Sequence, residues 1–227
     1  MPAYQLESAI AANIDRVANV VADWPSVQIV VIDDGCTDNT RRAAEEAASA
    51  HPMVSVVGYP VNRGKGGALK EGFRYVTGQV VVFLDSDLDL PPEQLPTFLN
   101  EFARLNVDAL VGAKRGSMTS GRYPLLRRIL SATFAMVNRV LFRLPVRETQ
   151  TGLKAFKRTA LEETLPKLDT AGYTFDLELL ARIRRAGGSM AEAPVVLAKG
   201  SSQGLSLSTL WEMGRDTVKI WWSSLRW

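Results

Sequence analysis

Short apolar runs alternate along the first half of the chain with segments whose apolar residues recur at helical spacing. The runs at 27–32, 54–57, 80–84 and 107–113 predict buried strands. Helices are predicted at 6–21, from Asp38 as N-cap to residue 50, after the glycine-rich loop 62–67, and from Pro91 onwards. Strands that alternate with helices in this way predict an α/β fold, with a doubly wound, mostly parallel sheet flanked by helices.

The second half of the chain has a different pattern. It predicts a long amphipathic helix at 122–143, a loop and short strand at 148–158, a helix at 174–188 and a strand at 189–198. Residues 207–227 form a predicted amphipathic helix that contains four tryptophans. We therefore expect one large domain at 1–200, followed by a C-terminal tryptophan-rich helix at 201–227.

Composition narrows the chemistry. The chain has 227 residues, 46% of them apolar and 22% charged, which is ordinary for a folded cytosolic protein. Cys36 is the single cysteine, so no intrachain disulfide can form, and His51 is the single histidine. A histidine-based zinc site and a Ser-His-Asp triad are therefore not expected. No apolar stretch is long enough to span a bilayer.

The positive charge is unevenly distributed. Eight lysines and arginines lie between Lys114 and Arg147, and no acidic residue lies among them. A segregated charge of this kind predicts a surface for phosphates, anionic lipid or nucleic acid. Nucleic acid is the least favoured of these, since the stretch has neither interleaved aromatic residues nor a known nucleic-acid motif.

Aspartates follow two of the predicted strands. Asp85, Asp87 and Asp89 come after the apolar run 80–84, and Asp33 and Asp34 come after 27–32. Ligands bind at the carboxyl ends of strands in open α/β sheets, and carboxylate oxygens suit Mg²⁺ or Mn²⁺. A divalent cation that carries a diphosphate would neutralise the first group. The alternative for either group is a turn that the aspartates merely cap.

Four segments in order, "PAYQ", "VVIDDGCTDNT", "NRGKGGALKEGF" and "FLDSDLDLPPE", resemble the family 2 glycosyltransferases, which have the nucleotide-diphospho-sugar fold called GT-A. The later segments "ETQTGLKAF", "GYTFDLELL" and "MGRD" are similar to those of the polyprenyl- and dolichyl-phosphate sugar synthases, especially the dolichyl-phosphate glucosyltransferase branch. The resemblance covers nearly the whole chain and implies that 1–200 is a GT-A domain.

The resemblance implies a role for each matching residue. The nucleotide-sugar would contact Pro2, Ala3, Tyr4, Asp33, Asp34, Lys65, Asp85 and Ser86. The metal ligands would be Asp87 and Asp89. Phosphates of donor and acceptor would be held by Arg115, Arg127, Arg128 and Lys199. Of these residues, Asp87, Arg115 and Arg127 would be catalytic, and Glu148, Gln150 and Thr151 would form a loop that orients sugar or acceptor.

The sequence departs from the family in two places near its start. The apolar first strand that precedes the PAY segment in the family is absent, and Leu6 stands where members often carry an acidic residue. We expect either that the given sequence begins too late or that the sheet lacks an inner strand.

The favoured function is inverting transfer of a hexose from a nucleoside diphosphate, UDP-glucose before GDP-sugars, to a polyprenyl or dolichyl phosphate. An anionic acceptor phosphate needs no strong general base. The enzyme would lie peripherally at the cytoplasmic face of a membrane, with the basic helix and Trp221, Trp222 and Trp227 as candidates for docking.

Two alternatives remain open. The first is an enzyme of the same fold that acts on a saccharide or small hydroxyl acceptor, with Glu148, Asp176 or Glu178 as the base. The second is a nucleotide-sugar-binding subunit without catalysis.

Overall fold

The computed structural model describes residues 1–114, 140–172, 174–198 and 207–227, with side chains in the last segment described from 214 on. The strands in these residues are β1 Pro2–Ala3, β2 Ile29–Asp34, β3 Val54–Tyr59, β4 Val80–Leu84, β5 Ala109–Lys114, β6 Leu153–Lys157 and β7 Met190–Val195. The helices are α1 Ile10–Val20, α2 Thr40–Ala48, α3 Gly64–Phe73, α4 Leu95–Leu105, α5 Arg158–Thr164, α6 Phe175–Arg185 and α7 Leu207–Ser224. Short 3₁₀ turns occupy Pro92–Gln94 and Leu165–Lys167.

The described strands form two sheets with the orders β1-β2-β3 and β4-β6-β5-β7. The first is parallel throughout. In the second, β5 and β7 are parallel, and β6 runs antiparallel between β4 and β5. The predicted α/β fold with a mostly parallel sheet is confirmed, and the direction of β6 is the feature that the apolar pattern does not reveal.

Helices cover both faces of the strands, as a doubly wound sheet requires. Along β2, Ile29 and Val31 pack into the apolar cluster that contains α1, whereas Val30 and Ile32 pack against Ala68 of α3. A Cβ atom at Gly72 of α3 would lie 2.6 Å from the Ile32 side chain, so this glycine permits the close packing of α3 on β2.

A gap separates the two sheets. A cavity of about 300 Å³ lies between β2 and β4 and is lined by apolar side chains such as Ile29, Val30, Val82 and Leu84. The amino group of Met1 donates a hydrogen bond to the Val30 carbonyl at 2.8 Å, and burial lowers the pKa of this amino group to about 5. The described residues place no strand between β2 and β4.

Two predicted helix starts are wrong by small amounts. Helix α1 begins at Ile10 rather than residue 6, and the Leu6 N–H bonds to Thr40 Oγ1 at the start of α2. Asn39, not Asp38, holds the N-cap position of α2, although the Asp38 carboxylate accepts the Thr40 N–H at 3.0 Å. Most of the predicted helix 122–143 lies outside the described residues, and its described end, 140–142, is helical.

Candidate active site at the ends of the strands

Asp85 directly follows β4 and is fixed by the start of β6. Leu84 pairs with Leu153, and the Asp85 N–H donates to the Gly152 carbonyl at 3.0 Å. A Cβ atom at Gly152 would lie 2.4 Å from Asp85 Oδ2, so a side chain at this position would displace the carboxylate. The chain therefore places the Asp85 carboxylate against the backbone of β6.

A network of alternating charges lies beneath this strand end, and we call it the floor of the site. Lys65 Nζ is 2.7 Å from Asp85 Oδ1 and 3.6 Å from Asp176 Oδ2. Lys154 Nζ is 2.9 Å from Asp176 Oδ1 and also donates to the Thr151 carbonyl. The Lys154 and Asp176 side chains are 1% and 5% exposed, so this pair is shielded from solvent, whereas the Lys65 and Asp85 side chains are about one third exposed.

The charges of the floor change one another's acidity. Burial disfavours the ionised Asp85, but the Lys65 ammonium outweighs burial and the net effect lowers the pKa of this carboxyl. Burial likewise opposes the charge of Lys65, and the carboxylates of Asp176 and Asp85 reverse the effect and raise the pKa of Lys65. For Lys154 burial is the stronger influence, and its pKa is lowered despite Asp176.

The next two aspartates lie above the floor, at what we call the rim. Asp87 and Asp89 line a cavity of about 60 Å³ together with Asp85, Lys114 and Gln150. Partial burial and the carboxylates of Asp85 and Asp89 raise the pKa of Asp87. Of the described residues that line this cavity, three are aspartates and one, Lys114, is a cation, so negative charge is in excess at the rim.

Asp87 and Asp89 fit the expected divalent cation. Carboxylate oxygens are the ligands that Mg²⁺ and Mn²⁺ prefer, and a cation would relieve the repulsion that raises the pKa of Asp87. The described residues contain no group of three His, Cys, Asp or Glu side chains placed to hold a metal. A cation at the rim would therefore take its remaining ligands from water and from a bound diphosphate, the usual mode for Mg²⁺.

The predicted nucleotide residues at the start of the chain lie beside the end of β2. Ala3 pairs with Asp33, Pro2 pairs with Ile32, and the Tyr4 side chain is 49% exposed just beyond. The Asp33 carboxylate accepts the Cys36 N–H at 2.9 Å, which is the turn-capping role left open by the sequence.

Asp34 is held by the loop after β3. Its carboxylate accepts hydrogen bonds from the Tyr59 hydroxyl at 2.6 Å, the Arg63 N–H at 2.8 Å and the Asn62 amide at 3.0 Å. These bonds tie the end of β2 to the glycine-rich loop. Contact of Asp33 or Asp34 with a nucleotide stays a prediction.

Ser86 is 2% exposed, between Asp85 and Asp87. Its carbonyl accepts the Asn13 amide at 2.8 Å, whereas its hydroxyl is buried and has no hydrogen-bond partner among the described residues. The Thr151 hydroxyl, fully buried in the loop before β6, is in the same situation. Unpaired buried hydroxyls are uncommon in folded proteins, and here two flank the same strand end.

The predicted acceptor loop reaches the rim through Gln150, which lines the cavity with Asp87 and Asp89. Glu148 is half-buried, and its carboxylate accepts the Gln150 N–H at 3.3 Å. The structure thus places Gln150 beside the predicted metal ligands. Glu148 bonds to the backbone of Gln150, and Thr151 is buried. The four predicted phosphate ligands lie outside the described residues: Arg115, Arg127, Arg128 and Lys199.

Sequence reasoning missed Lys154 and the pairing of Asp176. One signal was present for each, namely a lysine inside the strand segment "LKAF" and two acidic residues in the apolar helix start "TFDLELL". A charged residue in a segment buried on both faces implies a partner of opposite charge. That partner lies on another element and is not visible in the local pattern.

Residues 1–165 match the sequence profile described as Glycosyl transferase family 2. The chain is 28% identical to a dolichyl-phosphate beta-glucosyltransferase of Trichomonas vaginalis, over 97% of this chain and 69% of that protein. It is 27% identical to an undecaprenyl-phosphate mannosyltransferase of Micrococcus luteus, over 88% and 82% of the two chains. It is 26% identical to glycosyltransferase AglD of Haloferax volcanii over 98% of its own length, but spans only 36% of AglD.

Solved structures show the same fold. Glucosyl-3-phosphoglycerate synthase from Mycobacterium tuberculosis, in complex with UDP, superposes with a TM-score of 0.75 at 22% identity, over 98% of this chain and 77% of that one. The same enzyme was solved with Mg²⁺ and UDP, and that structure superposes with a TM-score of 0.74 at 23% identity, over 98% and 76% of the two chains. The match over residues 1–165 covers well over half of the sequence, and the fold around it is the GT-A fold. The chain belongs to glycosyl transferase family 2.

Proposed function

We propose that the chain transfers a hexose, with inversion, from UDP-glucose to a polyprenyl or dolichyl phosphate. The observation that carries the proposal is the negative rim at the carboxyl end of β4, where Asp87 and Asp89 lie. The lysines of the floor pair with Asp85 and Asp176 instead. A divalent cation held there would shield the departing diphosphate. The similarity to a dolichyl-phosphate glucosyltransferase and an undecaprenyl-phosphate mannosyltransferase supports sugar transfer to a lipid phosphate, and the UDP-bound structures of similar fold support UDP rather than GDP.

Two of the three candidate bases are committed to other partners. Glu178 accepts hydrogen bonds from the backbone N–H groups of Asp169 and Thr170 and from Arg182, at 2.8 to 3.1 Å. Asp176 is shared by Lys65 and Lys154. Both carboxylates are thus engaged by donors and cations of the protein rather than turned towards an acceptor hydroxyl. This supports an acceptor that is already ionised, such as a lipid phosphate, over a neutral hydroxyl.

Transfer to a small acceptor is the second candidate, because one specific observation favours it. The synthase of similar fold was crystallised with phosphoglyceric acid, a small acceptor. Glu148 is the remaining base candidate, since its recorded partner is the Gln150 N–H at 3.3 Å. Under this alternative Glu148 would take a proton from a hydroxyl that is held near Gln150.

A lipid acceptor requires contact with a membrane surface, and we propose peripheral binding at the cytoplasmic face. No helix among the described residues is long and apolar enough to cross a bilayer. Val218 and Trp222 of α7, together with Leu225 just after its end, are 60 to 65% exposed and are spaced as on one side of a helix. Trp221 and Trp227 instead pack against the apolar cluster of α6. The proposal therefore assigns lipid contact to Trp222 and not to all three tryptophans.

The test is incubation of the protein with UDP-[¹⁴C]glucose, Mn²⁺ and either undecaprenyl phosphate or phosphoglyceric acid. We expect butanol-soluble radioactivity with the lipid phosphate, no transfer by Asp87→Asn and full activity of Glu148→Gln. Transfer only to phosphoglyceric acid, abolished by Glu148→Gln, would establish the second candidate. UDP binding without transfer to either acceptor would leave the non-catalytic binding subunit as the correct interpretation.

A further inference from the structure

We propose that Lys154 is a positioning residue for the donor site: by neutralising Asp176 it keeps Lys65 on Asp85 and the floor of the site free of net charge. The inference rests on the proposed function only in taking the rim as the place where the donor's diphosphate binds. Neither the family resemblance nor the relatives assign a role to this lysine.

The position of Lys154 is unusual for a lysine. It lies in β6, which is paired on both sides by β4 and β5, and its side chain is 1% exposed. An ammonium group without water is costly unless carboxylates and hydrogen-bond acceptors surround it. The Asp176 carboxylate and the Thr151 carbonyl provide these partners. Lys154 is therefore engaged beneath the rim and does not itself contact a substrate that is bound there.

Lys65 is the link from Lys154 to the donor site. Its ammonium lies between two carboxylates, 2.7 Å from Asp85 and 3.6 Å from Asp176. Lys65 can stay nearer to Asp85 because Lys154 already neutralises Asp176. Without the charge of Lys154, Lys65 would be the single cation close to the buried Asp176 carboxylate among the described residues. Lys65 would then be drawn away from Asp85.

The consequence reaches the rim through charge. Asp85 lines the same cavity as Asp87 and Asp89. If Lys65 moves to Asp176, the Asp85 carboxylate joins two others that repel a diphosphate and attract a cation. Loss of the Lys154 charge should therefore weaken nucleotide binding and strengthen metal binding. A variant that was merely damaged in its fold would lose both.

The experiment compares four full-length proteins by calorimetry: wild type, Lys154→Met, Lys154→Met/Asp176→Asn, and Lys157→Met as a matched control. Lys157 lies in the same strand, but its partner is Asp108, at 3.2 Å, away from the floor. We expect Lys154→Met to bind UDP about tenfold more weakly at saturating Mn²⁺ and to bind Mn²⁺ alone more tightly. The double variant, whose floor is neutral again, should recover UDP affinity to within about threefold of wild type.

The outcomes separate the inference from the function. Wild-type protein that does not bind UDP with Mn²⁺ would refute the proposed donor site. If the wild type binds, the inference fails when Lys154→Met binds like wild type, loses affinity for both ligands, or is not rescued by Asp176→Asn. If Lys154→Met does not fold by circular dichroism, the double variant decides: UDP binding near the wild-type value supports the inference, and a folded double variant without UDP binding overturns it.

Discussion

The floor and the rim of the site contain the same kind of side chain in opposite electrostatic situations. In the floor, Asp85 and Asp176 lie within 3.6 Å of lysines, and the pKa of Asp85 is lowered. At the rim, a few residues further on, Asp87 has Asp85 and Asp89 as neighbours and its pKa is raised. The fold thus supplies cations for Asp85 and Asp176, whereas we propose that a bound metal ion neutralises Asp87 and Asp89. The difference indicates which aspartates are structural and which are available to a metal ion.

The largest expected effect is on the rim. Asp87→Asn should weaken UDP binding in the presence of Mn²⁺ by at least about 100-fold, because a metal ligand is lost while the floor stays intact. Isothermal titration calorimetry measures this directly. Asp23→Asn, at an exposed position, is the control and should bind like wild type. Comparable affinity in Asp87→Asn and Asp23→Asn would remove Asp87 from the metal site.

The second effect is on stability and belongs to the floor. Among the described residues, Lys65→Met leaves Lys154 as the one lysine beside Asp85 and the buried Asp176, and we expect a loss of about 2 kcal/mol of unfolding free energy, discounted because the Lys65 side chain is 30% exposed. Urea denaturation monitored by circular dichroism gives the value. Lys157→Met removes a cation of similar exposure whose carboxylate partner, Asp108, is itself 29% exposed, so the loss should be less than about 1 kcal/mol. Equal losses would mean that the floor is no more coupled than a surface ion pair.

A smaller effect, on the free energy of unfolding, should have opposite signs in the floor and at the rim. In metal-free protein at pH 7, Asp85→Asn should lower the unfolding free energy by about 1 kcal/mol, discounted for the partial exposure of Asp85. Asp87→Asn should leave it unchanged or raise it, because an unneutralised carboxylate is removed. Denaturation curves of the two variants and the wild type at equal ionic strength provide the comparison.

The pH dependence follows the same signs. Asp85, with a lowered pKa, stabilises the fold above its unfolded pKa of about 3.8, and this contribution is lost as the pH falls through the lower folded value. Asp87, with a raised pKa, destabilises the fold when ionised, and acidification through its folded pKa relieves that cost. Asp85→Asn should therefore lose less stability than wild type below pH 4. If Asp85→Asn instead loses stability more steeply than wild type as the pH falls, the lowered pKa of Asp85 would be contradicted.

The smallest effect lies outside both regions, on α7. Trp222→Glu should reduce binding to vesicles of anionic lipid by about tenfold, since it removes apolar area and adds a negative charge. Val196→Glu is the matched control, because Val196 is 62% exposed against 65% for Trp222 and lies outside α7, just after β7. Co-sedimentation with vesicles measures both, and equal binding of the two variants would exclude α7 as the lipid-contacting surface.

The sequence predicted the rim better than the floor, for a physical reason. Asp87 and Asp89 follow an apolar run, and a run of that kind ends where a parallel sheet exposes its ligand-binding edge. Lys154 and Asp176 are 22 positions apart and meet only because β6 inserts antiparallel beside β4, which no local pattern encodes. The same limit explains why Asp34 was predicted from its strand end, whereas its bonds to Tyr59, Asn62 and Arg63 were not.

The fold shows the same division between local and non-local information. Six of the described strands overlap apolar segments of the sequence, and hydrophobic burial alone is enough to define them. The order β4-β6-β5-β7 and the cavity beside β2 depend on contacts between distant segments. The starts of α1 and α2 were misplaced by a few residues because bonds such as that from the Leu6 N–H to Thr40 Oγ1 join distant segments and are not visible in the local pattern.

The most direct test of the central claim is a calorimetric titration of UDP into metal-free wild-type protein, repeated at saturating Mn²⁺. If the rim binds a divalent cation that holds the diphosphate, UDP should bind measurably with Mn²⁺ and at least about tenfold more weakly without it. Equal UDP affinity with and without the metal would contradict the account, as would the absence of binding in both titrations.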